Sequence, residues 1–262
     1  MRRERELKDR SGPETPSGGP ARGLSRREFL AGGLSALSGA LVALERAARA
    51  DEAVKTGQFV FPRLQFAVYD ESPDKWNVGP VGDVILKRKL QELTNINVSP
   101  EPKVVRLADF DDMCRHPFVF MTSEGYFRLD PAEERNLREF LERGGFILAD
   151  DCVLWAREDR FFQCYRDLVN KLFPGNPMRE VPLDHEIFHI YYDMKEGCPH
   201  MQGKRAGRSN AWALFERGTG RIMTFATPGD IHCGWMCRYW GMDKNMEAIK
   251  MGINIIIYFL SH

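Results

Sequence analysis

Two adjacent carboxylates, Asp150 and Asp151, follow a continuous apolar run from Phe146 to Ala149. Such a run predicts a strand that is covered on both faces. In open α/β sheets, ligands bind beyond the carboxyl ends of the strands, where this pair falls. Neighbouring strand residues point to opposite faces, so both can line one crevice only if the chain turns between them. We expect the pair to bind a ligand or metal or to act in catalysis; the alternative is helix capping or loop bracing.

The segment His185 to His189 spells H-E-x-x-H. In zinc proteases this pattern places two histidines one helical turn apart, with the glutamate activating a metal-bound water. Here Pro182 lies just upstream, and Ile190-Tyr191-Tyr192 is more typical of a strand than of a continuing helix. The context therefore argues against a zinc protease.

His185, beside Asp184, is predicted instead to meet Asp150 and Asp151 in a crevice, as a ligand or a general base. The alternative is a turn histidine bonded to the backbone. A divalent metal could bind there, although the sequence requires no cofactor. The candidate metal ligands among the histidines are His185, His189 and His232.

A third cluster consists of Asp230-Ile231-His232-Cys233 and Cys237. Its spacing suits metal ligands or a disulfide, but Cys-x3-Cys without a second pair is not a specific zinc pattern. Packing near Trp235 and Trp240 is the favoured interpretation.

Two residues could be considered as acyl-transfer nucleophiles. Cys152 follows the predicted strand, but the adjacent Asp151 would raise its pKa, which disfavours a reactive thiolate. Ser123 lacks the small neighbours of a Gly-x-Ser-x-Gly elbow. Neither meets the requirements.

The elements that position these residues can be predicted from periodicity and breakers. Asp130, Pro131 and Glu133 form a helix start with a capping box, and Gly144-Gly145 ends that helix before the strand at 146. Further helices are predicted at 81–93, 158–173 and 246–260. Further strands are predicted at 59–69, 96–98, 104–105, 118–121, 211–216 and 221–226, with a loop at 227–239.

This alternation predicts a three-layer α/β domain with a mostly parallel sheet, and the late hairpin predicts an antiparallel edge. The chain of 262 residues has a formal net charge of zero, which gives no sign of a nucleic-acid-binding surface. No apolar run after residue 50 is long enough to span a membrane. The six cysteines are expected to be mostly free and buried, with Cys233/Cys237 the one pair suspected of a disulfide.

The amino terminus carries an export signal. Ser25-Arg26-Arg27-Glu28-Phe29-Leu30 matches the twin-arginine core, an apolar stretch follows, and Ala48-Arg49-Ala50 is a cleavage site. We therefore expect residues 1–50 to be a signal peptide, residues 51–262 to be one α/β domain, and the twin-arginine translocase to deliver it to the periplasm. The alternative is a short uncleaved membrane anchor.

Several segments together resemble a bacterial exported family known as domain of unknown function 4159. They are FPRL at 61–64, PFVFMT at 117–122, LREFLERGGFILADD at 137–151, Asp184-His185 with Ile187-Phe188-His189, and Gly252-Ile253-Asn254 with Tyr258. The resemblance implies a flavodoxin-like sheet similar to class I glutamine amidotransferases. Those enzymes carry Gly-x-Cys-x-Gly and a later His-Pro-Glu, whereas this chain has Asp150-Asp151-Cys152 and no His-Pro-Glu, so amidotransferase activity is not expected.

The sequence thus favours an exported, non-catalytic binding or accessory module whose crevice is formed by Asp150, Asp151 and His185, with Trp155 as an aromatic wall. A carbohydrate or an envelope component is the expected ligand, by fold analogy alone. The alternative is a metal-dependent hydrolase that uses the same three polar residues. A third alternative, a structural partner in an envelope complex, would expose an apolar patch.

Overall fold

The structure, a computed structural model, describes residues 57–67, 75–153, 159–203 and 207–262. The strands are β1 Pro62–Gln65, β2 Lys103–Arg106, β3 Phe118–Ser123, β4 Phe146–Asp151, β5 Arg179–Glu180, β6 Trp212–Phe215 and β7 Ile222–Thr227. The α-helices are α1 Val81–Leu93, α2 Phe110–Arg115, α3 Pro131–Glu142, α4 Arg160–Leu172, α5 Ile231–Trp235 and α6 Met242–Ser261. Two single 3-10 turns lie at Lys75–Asn77 and Glu186–Phe188.

The seven strands form one sheet in the order β2-β1-β3-β4-β7-β6-β5. The first five strands in this order pair in parallel, whereas β6 pairs antiparallel with both β7 and β5. This confirms the predicted α/β class and its antiparallel edge. Since β4 and β7 are adjacent and parallel, the segments that follow them emerge at the same edge of the sheet.

Helices cover both faces of the sheet. On one face, Leu148 packs in a core with Trp235 of α5 and Ile253 of α6. On the other, Ala149 packs in a core with Leu137 of α3 and Phe161 of α4. The alternation along β4 thus assigns even and odd residues to separate cores, as the pleat requires. In the described part of the chain, no helix has the length and apolar character to cross a bilayer.

The helix and strand at the centre of the sequence prediction form as expected. The Asp130 side chain accepts from the backbone N–H groups of Ala132 and Glu133, and Glu133 accepts from Asp130 N, completing the capping box. Gly144, at φ 95°, ends the helix in the left-handed region that suits glycine. The chain then enters β4, whose six side chains are all buried.

Several boundaries differ from the prediction. The first strand is limited to Pro62–Gln65, with only an isolated bridge joining Phe59 to Val98. The six-residue helix α2 was missed because it is short and charged. The predicted loop at 227–239 contains α5, whose five residues are too few for a periodic pattern.

Candidate metal centre

The predicted pair Asp150 and Asp151 is buried but divided between the two faces of the sheet. Both residues belong to β4, where they pair with Thr122 and Ser123 of β3. Asp150 lies on the α5 face, and Asp151 points toward α4. The strand does not end between them, so they cannot line one crevice. Each therefore has a separate role.

Asp150 anchors the segment that follows β7. Its Oδ1 accepts a hydrogen bond from Ile231 N at 3.1 Å, and its Oδ2 accepts one from His232 N at 2.9 Å. The same Oδ2 lies 2.8 Å from Nδ1 of the His232 ring. Both side chains have no solvent exposure. A histidine that donates one ring nitrogen to a carboxylate presents its other nitrogen as an acceptor or a metal ligand.

The other ring nitrogen of His232, Nε2, faces a group of buried side chains that can act as metal ligands. These side chains come from the ends of two adjacent strands. Nε2 lies 3.6 Å from Cys233 Sγ, which lies 3.7 Å from Cys152 Sγ. One ligand atom from each of Cys152, Asp230, His232 and Cys233 can be chosen so that all four lie within 4.8 Å of one another. Cys152 follows β4 and the other three follow β7, so the order of the strands creates the cluster.

The spacing of the cluster suits a tetrahedral metal. Zinc binds cysteine sulfur at about 2.3 Å and histidine nitrogen at about 2.0–2.1 Å, so tetrahedral angles separate two sulfurs by about 3.8 Å and a sulfur from a nitrogen by about 3.6 Å. The observed separations of 3.7 Å and 3.6 Å match these values. Two thiols, an imidazole and a carboxylate form a ligand set typical of zinc.

Asp230 completes the cluster in a strained conformation. Its backbone is left-handed, at φ 56° and ψ 36°. Oδ2 accepts from Gln202 Nε2 at 3.1 Å, whereas the buried Oδ1 has no hydrogen-bond partner within the described residues and lies 3.9 Å from Nδ1 of His232. Burial raises the pKa of this carboxyl to about 7, against the opposing effect of His232. A buried polar atom that lacks a partner is costly, and a cation would supply one.

The protonation of the other members follows from burial. The contact with Cys152 and burial raise the pKa of the Cys233 thiol. The contact with Cys233 lowers the pKa of Cys152, but burial and nearby carboxylates outweigh it, so its pKa is also raised. Burial opposes charge on His232, but Cys233 and Asp150 outweigh it and raise its pKa. A metal must therefore displace protons from the two thiols and from Nε2 of the His232 ring.

The amino-terminal end of α1 packs closely against α5 and the His232 ring. A side chain at Gly82 would place its Cβ 2.7 Å from the carbonyl oxygen of His232. At Gly79, a Cβ would lie 3.4 Å from His232 Nε2 and 3.3 Å from Met236 Sδ. Gly79, just before α1, and Gly82, in its first turn, allow this end of the helix to approach the cluster, which contributes to the burial of the cluster.

Asp151, on the opposite face, serves α4. Its Oδ2 accepts a hydrogen bond from Phe162 N, in the first turn, at 2.8 Å. The helix has no side-chain cap from its own N-cap residue, Asp159, so Asp151 supplies one from the neighbouring strand. Burial, with a smaller contribution from Asp150, raises the pKa of Asp151 well above its usual range. Asp151 is thus a buried helix cap, which was the alternative to a site residue.

The structure does not bring His185 to the aspartates. His185 packs against Tyr258, whose hydroxyl accepts from Ile222 N at the start of β7, whereas Asp150 pairs with Thr227 at the end of that strand. Five residues of strand separate the two ends by roughly 17 Å. The predicted grouping is therefore corrected. His185 is the N-cap of the 3-10 turn and accepts a hydrogen bond from Ile187 N. This agrees with the alternative of a turn histidine bonded to the backbone.

The H-E-x-x-H segment has no helical metal-binding geometry. Residues Glu186–Phe188 form a single 3-10 turn. The His189 ring is occupied on both sides, with Nδ1 2.7 Å from Asp193 Oδ1 and Nε2 2.8 Å from the Leu183 carbonyl oxygen. Of the three candidate histidine ligands, His232 alone belongs to the cluster.

The remaining predicted residues lie elsewhere. Trp155 is outside the described residues. Ser123 is buried at the end of β3. None of the six cysteines is in a disulfide, and three of them are buried. The sulfur in contact with Cys233 Sγ is that of Cys152, whereas the sequence suggested Cys237 as its partner. Sequence reasoning missed this contact because Cys152 and Cys233 are 81 positions apart.

Within the described residues, which leave out 154–158, both aspartates are almost fully buried, with exposed fractions of 0% and 1%. A cavity of about 620 Å³ lies instead beside α6, where its walls include Tyr192, Cys198, His200, Lys244 and Lys250. The expected ligand crevice floored by Asp150, Asp151 and His185 is therefore corrected to a buried polar cluster and a separate surface cavity.

Comparison with known protein families places this fold and cluster in a family context. Residues 61–260 match the family described as Domain of unknown function (DUF4159). That span includes β4, β7 and all four residues of the cluster. A search of curated proteins found no match. Since the match covers well over half of the sequence, the chain belongs to the DUF4159 family.

Proposed function

We propose that this protein binds one divalent metal ion of the zinc type through Cys152, His232 and Cys233, with Asp230 as the fourth ligand. The observation that carries the proposal is the pair of separations, 3.7 Å between the sulfurs and 3.6 Å from sulfur to imidazole, in a buried cluster. Asp150 supports it, because carboxylates that orient metal-binding histidines are a regular part of such sites.

The ligand set favours a structural or binding role over hydrolysis. Four protein ligands close a zinc site, whereas catalytic zinc keeps a position for water. All four residues are buried. The metal would tie the segment after β4 to the segment after β7, holding the carboxyl edge of the sheet. In this proposal the protein remains a binding or accessory module, and the metal is its primary ligand.

A metal-dependent hydrolase is the second candidate, and its residues differ from those expected from the sequence. Asp230 Oδ1 has no hydrogen-bond partner within the described residues, so it could bind a metal-bound water instead of the metal. The metal would then keep an exchangeable position. Asp151 and His185 take no part, because one faces the opposite side of the sheet and the other lies at its opposite end.

The proposed place of action is outside the cytoplasmic membrane. The proposal rests on the twin-arginine pattern at Ser25 to Leu30, which lies outside the described residues. That route exports folded proteins, so the metal would be acquired before translocation. A carbohydrate or envelope partner remains a proposal from fold analogy, as does the likeness to class I glutamine amidotransferases.

The test is the metal content of the folded full chain, purified without chelator. We expect near-stoichiometric metal in the wild type, and its loss in Cys152→Ser, Cys233→Ser and His232→Ala. Cys198→Ser, a buried thiol outside the cluster, and His189→Ala, from the H-E-x-x-H segment, are matched controls that should keep the metal. Metal-free wild type, or metal lost equally from the controls, would overturn the proposal.

Cobalt substitution separates the two candidate roles. Tetrahedral cobalt with two thiolates gives strong visible absorption and a thiolate charge-transfer band. A closed site should give a spectrum that added azide or cyanate does not change. A spectrum that shifts with these anions would show an exchangeable position and favour the hydrolase.

A further inference from the structure

Two cysteine thiols of the cluster lie in contact although they are distant in sequence. Sγ of Cys152 and Sγ of Cys233 are 3.7 Å apart and their residues are 81 positions apart. A disulfide needs the sulfurs at about 2.0 Å, so they must approach by about 1.7 Å. Cys152 follows the end of β4 and Cys233 lies in the short helix α5, so the two sulfurs belong to separate elements.

The two thiols are near the surface of the cluster. Their residues retain exposed fractions of 7% and 8%, whereas His232 retains none. Cys198, by comparison, is 1% exposed, and its Sγ lies 3.4 Å from Thr227 Oγ1. A small reagent therefore has better access to the Cys152/Cys233 pair than to this third buried thiol.

We infer that Cys152 and Cys233 form a reversible intramolecular disulfide when the metal is absent, so that metal binding and disulfide formation exclude each other. The inference rests on the proposed function for the metal-bound state, but the disulfide itself requires only the observed contact. The Cys152/Cys233 disulfide would also join the segments that follow two adjacent parallel strands.

The reaction is a thiol–disulfide exchange with a low-molecular-weight disulfide. One protein thiolate attacks a sulfur of the reagent, breaks its S–S bond and releases one small thiol. The second protein sulfur then displaces the other small thiol, which forms the Sγ–Sγ bond. Two protein thiols are oxidised, the reagent is reduced to two thiols, and the two protons leave on them. The sulfurs of a disulfide are neutral and are no longer thiolates, so the metal loses two ligands.

The state of the protein would depend on whether it meets the metal or the oxidant first. A protein that acquires metal first keeps both sulfurs coordinated and resists oxidation. A protein that meets an oxidant first is crosslinked and cannot bind metal until it is reduced. The site would thus be sensitive to whether metal arrives before or after an oxidising compartment.

The experiment uses the full chain stripped of metal with a chelator and then treated with oxidised glutathione. We expect the peptide pair that joins Cys152 to Cys233 to form with a loss of two hydrogens, apart from glutathione adducts on the less buried Cys114, Cys164 and Cys237, and this crosslink to form at least tenfold more slowly after preloading with zinc. The crosslinked protein should bind no zinc until dithiothreitol restores it. Cys198→Ser should behave as the wild type, whereas Cys152→Ser should give only a glutathione adduct.

The outcomes separate the two proposals. Formation of the crosslink in a protein that never binds zinc would support this inference and refute the proposed function. Zinc binding without any crosslink, or a crosslink that joins other cysteines, would overturn this inference and leave the metal site intact. Glutathione adducts on both Cys152 and Cys233 without the crosslink would also overturn this inference. They would show that the reagent reaches both thiols but that the two sulfurs do not come together.

Discussion

Nδ1 of His232 lies 2.8 Å from Oδ2 of Asp150, although the two residues are 82 positions apart. This contact directs Nε2 of the same ring toward Cys233 Sγ. Asp150 also accepts two backbone N–H groups of the segment that carries His232. The aspartate is therefore a positioning residue for a metal ligand rather than a ligand itself.

Replacing Asp150 with Asn should weaken metal binding without abolishing it. The amide oxygen can still accept from one of the two backbone N–H groups that Asp150 serves, but the side chain no longer provides a charged partner for the His232 ring. Loss of such a partner typically reduces metal affinity by about 10–100-fold. Competition with a chelating dye would measure the change. Asp151→Asn is the matched control, and equal affinities in both variants would contradict the assigned role.

Replacing Asp230 with Asn should change stability and metal binding in opposite directions. Asn tolerates the left-handed conformation and removes a buried carboxyl whose Oδ1 has no hydrogen-bond partner within the described residues. We expect the metal-free protein to gain about 1 kcal/mol in unfolding free energy. Zinc affinity should fall because an anionic ligand is lost. Urea unfolding with and without zinc tests both effects, and a metal-free variant less stable than wild type would contradict this explanation.

Replacing Asp151 distinguishes a helix cap from a site residue. Asp151→Asn keeps an oxygen acceptor for Phe162 N and replaces a carboxyl whose pKa burial has raised, so its stability should change little. Asp151→Ala removes the acceptor and should cost about 1 kcal/mol, as the loss of an N-cap does. Zinc affinity should be unchanged in both variants. A loss of metal in Asp151→Asn would restore this residue to the site.

His189 provides a pH-dependent contrast to the buried cluster. The Leu183 carbonyl and then Asp193 raise its pKa. A raised folded-state pKa means that the contribution to stability is complete below the ordinary histidine pKa and is lost as pH rises through the folded value. Since 37% of the side chain is exposed, His189→Ala should cost less than about 1 kcal/mol at pH 5.5.

The loss of stability in His189→Ala should be smaller still at pH 9, where the ring is neutral in both the folded and the unfolded protein. Thermal unfolding at the two pH values, with proton NMR titration of the ring, tests the sign. His262→Ala, another histidine near a carboxylate, serves as a comparison variant. A cost that grows with pH would contradict the assigned interactions of His189.

The local sequence was sufficient to predict the elements around the aspartates. A capping box, a glycine stop and an apolar run predicted α3 and β4, because these signals act within a few residues. The hairpin of β6 and β7 was predicted for the same reason. Local signals also placed Asp150 and Asp151 at the carboxyl end of a strand, which is correct.

Those local signals do not predict which distant strands lie beside one another in the sheet. Nothing near Cys152 indicates that β7 lies beside β4, so its contact with Cys233 could not be predicted. His185 was expected near the aspartates because its segment had no clear periodicity. The segment is a turn at the far end of the sheet, and its neighbour Pro182 was the signal against a metal-binding helix.

The parallel pairing of β4 with β7 has a consequence for how the chain folds. Ile147 pairs with Thr224, 77 positions further along, so the pair forms only after a long segment has closed. Such non-local contacts form slowly compared with local helices. Three of the four proposed ligands, Asp230, His232 and Cys233, lie in the segment after β7, so a nascent or truncated chain that ends before Asp230 cannot hold the ion through all four ligands. Metal retention would thus report that the pairing of β4 with β7 has formed.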